Sequence, residues 1–130
     1  MQKRPLNPFD WHEADDQGML VEGFKRMVFV SGQCAMSNDG HPQHPGDMRA
    51  QTLLSLENVA AVLAEAGMDL SHVVHLNTHV TDVDLFRAEA ADAMAERLAE
   101  YGVRPPGVLS GTTRLGLPEL IVELEAIAVG

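Results

Sequence analysis

The sequence predicts an α+β domain in the order β-β-α-β-α-β-β, and three observations predict it. Apolar residues alternate in short β-branched runs but recur at helical spacing in two longer ones, so the period changes along the chain. Turns rich in glycine and proline separate these runs. A length of 130 residues and an apolar content of 45% suit one domain with a single core.

The first 17 residues carry Pro5, Pro8, Asp15, Asp16 and Gln17 without either period. They read as an N-terminal arm or loop, with one ordered domain over residues 18–130. Met19-Leu-Val-Glu22 and Met27-Val-Phe-Val-Ser31 are β-prone runs on either side of Gly23, which predicts a hairpin. The segment Asn38 to Gly46 is dense in turn residues and reads as an exposed loop. From Asp47 the spacing becomes helical: Leu56, Val59, Ala60 and Leu63 fall at i, i+3, i+4 and i+7, and Gly67 follows as a C-terminal cap.

Val73 to Val80 is rich in β-branched residues and reads as a strand. A second helix is expected from Asp84 or Leu85, with Phe86, Ala90, Ala93, Met94, Arg97 and Tyr101 on one side. Gly102 ends it, and Pro105-Pro106 prevents its continuation. Two further strands are expected, Val108 to about Thr113 and Leu120 to Val129, separated by Gly116 and Pro118. Two helices cover only one face of such a sheet. In the strand at Val73, Val74, Leu76, Thr78 and Val80 alternate with His75, Asn77 and His79, so the uncovered face is polar in part. Oligomerisation is the expected remedy for its apolar part.

Composition narrows the function classes. Nineteen acidic against nine basic residues give a net charge of −10. Lys3-Arg4 and Lys25-Arg26 are the only close basic groupings, so no nucleic-acid partner is expected. No stretch approaches the ~20 apolar residues of a membrane helix, and the start has no apolar export region. A soluble, cytoplasmic protein is expected, without a membrane partner. Cys34 is the single cysteine and can form no internal disulfide. No Gly-rich phosphate loop, nucleophile elbow or zinc motif is present, so no cofactor or metal is expected. His41 and His44 lack acidic or cysteine partners at metal spacing.

Six segments together resemble the RidA/YjgF family, also known as the liver perchloric-acid-soluble protein family. They are Val28-Phe-Val-Ser-Gly-Gln33, Gly46-Asp-Met-Arg-Ala-Gln-Thr52, Leu56-Glu-Asn-Val59, Ala64 to Val74, Val80-Thr-Asp-Val-Asp-Leu-Phe86 and Val122-Glu-Leu-Glu-Ala-Ile-Ala128. They run from about Val28 to the C-terminus in the family's order and spacing. The resemblance implies a chorismate-mutase-like fold and a homotrimer with its sheets packed inward. It also implies three interface clefts for a small metabolite, and hydrolytic deamination of imines or enamines.

In the family, an arginine in a Pro-Ala-Arg-Ser/Thr segment grips the substrate carboxylate through its planar guanidinium fork. The match of Pro105 through Ala126 places Gly107 there, so this chain resembles the branches that lack the arginine. The family's cleft glutamate, which orients the attacking water, matches Glu123. Its cleft asparagine falls near Ala90, and its N-terminal Tyr-Ser-Gln-Ala segment is replaced around Met19-Leu-Val.

Each candidate residue has two readings. Glu123 either serves the cleft or forms an interface ion pair or solvated position; Glu125, on the same strand face, either shares the site or is structural. Ser31, Gly32 and Gln33 either present backbone groups to a ligand or end a strand. Cys34 is either a quiet buried thiol or a nucleophile. Arg114 first, then Arg104, either replaces the missing anchor or makes a surface salt bridge. His75 and His79 lie about 13 Å apart along one strand face at ~3.3 Å per residue, too far to share a metal within a chain. A three-fold axis could gather three copies of one of them; the other reading is polar packing at the trimer centre. Two functional expectations remain: an imine or enamine hydrolase acting through Glu123, and a metabolite-binding trimer without turnover. The ribonuclease activity sometimes attached to the family conflicts with the acidic balance.

Overall fold

A computed structural model describes residues 1–11 and 14–130. The elements are β1 (Gln2–Leu6), β2 (Gly18–Glu22), β3 (Met27–Cys34), α1 (Met48–Ala64), β4 (Val73–Val80), α2 (Val83–Glu89), α3 (Ala91–Glu100), β5 (Leu109–Gly111) and β6 (Val122–Val129). Four strands form the main sheet in the order β3-β6-β4-β5, antiparallel except for the parallel pair β4–β5. The α+β class is as expected. Among the described residues, no helix is long and apolar enough to cross a membrane.

The long helix α1 covers β3 and β6. Asp47 caps its start by accepting from Ala50 N, and its buried stripe runs through Met48, Thr52, Leu56, Val59 and Leu63. At its end Gly67 takes a left-handed φ of 71°. The Met68 amide then reaches Leu63 O and the Gly67 amide reaches Ala64 O, which satisfies two of the last carbonyls.

Two polar residues of α1 lock the ends of the strands beneath it. Buried Gln51 donates to Glu119 O at 2.8 Å and accepts from Ile121 N at 3.0 Å, which fixes the entry to β6. Asn58 donates to Cys34 O and Met36 O at 2.9 and 3.0 Å, which fixes the exit from β3.

Three expectations are corrected. Gln2–Leu6 is a strand rather than loop, pairing with Gly18–Glu22 in a separate two-stranded sheet; residues 12 and 13 of the expected arm lie outside the described residues. The expected hairpin between β2 and β3 is not formed. Gly23, at φ 71°, turns the chain away, and β3 pairs with β6 instead. Alternation identifies strands but is blind to their partners.

The second helix is divided into α2 and α3 at Ala90, whose φ and ψ are −128° and −27°. Neither glycine nor proline stands there, so no local signal marks the break. Ala90 is 1% exposed and packs in the helix-side core.

The sheet has two unlike faces. Leu76, Thr78 and Val80 of β4 and Val122, Leu124 and Ala126 of β6 are buried beneath the helices. His75, Asn77, His79, Glu123, Glu125 and Ile127 alternate with them on the open face. Phe29 is 73% exposed and Val108 57%, so the open face has an apolar part beside its polar one.

Candidate functional site

A bulge in β3 shapes the polar part of the open face. Val30 pairs with Ala126 and Gln33 with Leu124, so Ser31 and Gly32 together oppose Glu125. The extra residue reverses the alternation. Cys34, four residues beyond inward-facing Val30, therefore pairs with Glu123 on the other side, and its Sγ lies 3.4 Å from Glu123 Oε1.

Gly32 leaves room for that carboxylate. A Cβ at residue 32 would lie 2.6 Å from Glu123 Cδ, closer than real contacts allow. Gln33 stays at the bulge, donating from Nε2 to Ser31 O at 3.2 Å.

Burial, then the Glu123 charge and the hydrogen bond to it, push the Cys34 thiol up to about 12. Cys34 is therefore a neutral S–H donor to Glu123 at physiological pH rather than a thiolate nucleophile.

Beside it, His79 Nε2 sits 2.9 Å from Glu125 Oε1, and Asn77 Nδ2 donates to the same oxygen at 3.1 Å. These bonds, His79 first, hold the Glu125 carboxyl below its ordinary range. His79 Nδ1 meets Ser110 Oγ at 2.8 Å across the β4–β5 pair.

A cleft of ≈ 580 Å³ gathers Ser31, Gly32, His79, Arg114, Glu123 and Glu125, with Thr112 and the loop at Leu115 and Gly116. Four residues expected for the site, Ser31, Gly32, Arg114 and Glu123, thus stand together on one wall system. Arg104 is elsewhere: its Nε donates to Ala14 O at 2.6 Å and ties down the N-terminal segment.

Gly107 is also elsewhere. It lines the space between the sheet and α2–α3 with Phe86, Met94 and Leu98. A Cβ on it would lie 1.7 Å from Leu76 O, so no side chain fits.

The sequence reading missed Asn77 and Ser110 and weighed His79 only as a metal ligand or packing residue. Alternation on β4 was the available signal for Asn77 and His79; the parallel pairing that delivers Ser110 left none. Among the described residues, no three His, Cys, Asp or Glu side chains are placed to hold a metal ion.

Known proteins agree with this architecture. A family model described as Endoribonuclease L-PSP matches residues 17–130. A RutC family protein of Pyrococcus abyssi is 30% identical over 125 residues, covering 96% of this chain and 88% of its own. TdcF of Escherichia coli strain K12, provisionally named a reactive intermediate deaminase, is 33% identical over 118 residues, covering 86% of this chain and 87% of its own. The crystal structure of YyfB from Yersinia pestis, a Rid family protein of unknown function, superposes with a TM-score of 0.82 at 27% identity over 100% of both chains.

Proposed function

This chain belongs to the RidA/YjgF family, and we propose that it hydrolyses a small imine or enamine metabolite in the Glu123 cleft, as a homotrimer whose neighbouring copies complete three such clefts. The carrying observation is that Glu123 and Arg114 line one cleft beside the Ser31–Gly32 bulge. A carboxylate so placed can accept a proton from water as the water adds to a C=N carbon. The tetrahedral adduct then expels the amine nitrogen and leaves a carbonyl. The name of TdcF supports this reaction class.

Arg114 takes the part of the carboxylate anchor that the resemblance assigned to the Gly107 position. The exposed apolar residues Phe29, Val108 and Met27 support the assembly, since an exposed patch of this kind is commonly an interface. A trimer mass by light scattering is expected for the native chain, and a monomer would remove the shared clefts from the proposal.

The direct test supplies imines generated in situ, one set bearing a carboxylate and one uncharged. Native protein should turn over at least one set, and Arg114→Ala should raise KM for the carboxylated set alone. Absence of turnover on both sets would sink the hydrolytic reading. One observation favours a binding-only trimer in that event: the backbone at Gly107 excludes the family's anchor.

A further inference from the structure

Ser110, His79 and Glu125 form a hydrogen-bonded chain on the open face, one that the imine reading does not use. The sheet register creates it. His79 lies opposite Ser110 in the parallel β4–β5 pair, and Glu125 reaches it from β6 on the other side. The distances are 2.8 Å from His79 Nδ1 to Ser110 Oγ and 2.9 Å from His79 Nε2 to Glu125 Oε1.

Hydrogen-bond logic fixes the direction of these contacts. An ionised carboxylate only accepts, so a neutral imidazole facing Glu125 carries its proton on Nε2. Nδ1 is then the bare nitrogen, and the Ser110 hydroxyl donates to it. The result is a hydroxyl bonded to a base whose opposite nitrogen is held by a carboxylate. Asn77 Nδ2, at 3.1 Å from Glu125 Oε1, holds that carboxylate in turn.

We propose that Ser110 is an acyl-accepting nucleophile, with His79 as its general base and Glu125 as the group that orients the base, acting on small uncharged or cationic esters. The charges around it set that substrate preference. The cleft lined by its partners His79 and Glu125 also holds Glu123, and among the described lining residues Arg114 is the one arginine or lysine.

In the first step Ser110 Oγ bonds to the ester carbonyl carbon while its proton passes to His79 Nδ1. The C–O bond to the alcohol then breaks, and the departing alkoxide takes that proton. Water repeats the sequence on the acyl-serine, releasing the acid and restoring the hydroxyl.

The edge position of β5 supplies a donor for the developing oxyanion. Ladder bonds to β4 run through Val108 O and Thr112 N, both at 2.8 Å, so strand alternation turns the Gly111 amide between them to the unpaired side.

The test treats the native chain with p-nitrophenyl acetate and, separately, with a fluorophosphonate, and locates any adduct by peptide mass spectrometry. One adduct per chain on the Ser110 peptide is expected with the fluorophosphonate, whose phosphonyl-serine the water step does not release, while p-nitrophenyl acetate should be hydrolysed. The adduct should vanish in Ser110→Ala and form about 100-fold more slowly in His79→Gln, the loss typical of a missing general base. Ser110→Cys, nearly the same size, should still be acylated there, which guards against misfolding of the alanine variant. Labelling only at lysines or the N-terminus, no labelling, or equal labelling of Ser110→Ala would overturn the proposal. None of these results touches the imine reading, which runs through Glu123 and water.

Discussion

The two faces of one sheet show how differently the same strands are used. On β4 the inward residues Leu76, Thr78 and Val80 are buried in an almost wholly apolar layer, while His75, Asn77 and His79 between them stay partly exposed. β6 repeats the contrast, with Leu124 at 0% exposure and Glu123 and Glu125 on either side of it facing outward. The covered face is dry and holds the fold together. The open face carries a hydrogen-bonded cluster of carboxylate, imidazole and hydroxyl groups. Substitutions should therefore separate stability from chemistry according to the face they touch.

The largest stability loss is expected on the covered face. Leu124→Ala removes a fully buried side chain and should cost about 2–5 kcal/mol in denaturant unfolding. A cost as small for Leu124→Ala as for Asn77→Ala would break the contrast between faces.

Next comes the polar lock between the layers. Gln51→Leu leaves the Ile121 amide and the Glu119 carbonyl without the side chain that satisfies them, and should cost about 1–3 kcal/mol. The same variant should loosen the entry to β6 and so lower activity at Glu123, which a purely apolar deletion such as Leu124→Ala need not do.

The open face should respond in reactivity rather than in stability. Cys34 should alkylate slowly at pH 8, its thiol lying near 12. Glu123→Gln removes a neighbouring negative charge, so the thiol should ionise at lower pH and the rate of alkylation rise. An unchanged rate profile would mean that the carboxylate does not act on the thiol.

The smallest effect is acid sensitivity. Glu125 is held below its ordinary value of 4.5, so it stabilises the fold above that value, and this contribution disappears as pH falls through the depressed one. His79→Gln should flatten that acid limb of the stability profile. A limb of unchanged steepness would remove His79 as the cause.

Much of this division was legible in the sequence because alternation on β4 and β6 reports directly which side chains share a face. Leu76, Thr78 and Val80 against Asn77 and His79 were separable without coordinates, and so were Glu123 and Glu125 as a pair. The cap at Gly67 was legible for the same local reason, as a glycine just beyond the last periodic residue. Long-range pairing was not. Nothing near Gly23 says that β2 turns back to β1, and nothing near Ser110 says that β5 runs parallel to β4. The bulge at Ser31–Gly32 is a tertiary fact as well: it sets Cys34 beside Glu123, where simple alternation would have placed them on opposite faces. The Gly107 assignment shows the limit of matching by segment, because the residue that corresponds in sequence has its Cβ position filled by the Leu76 carbonyl.

Catalysis by Glu123 is tested most directly by measuring imine turnover and thermal unfolding together in the native chain and in Glu123→Gln. Turnover should fall about 100-fold or more while the unfolding midpoint stays within a few degrees of native. Equal turnover in both proteins, or a loss of turnover that simply tracks a loss of folded protein, would rule out Glu123 as the catalytic group.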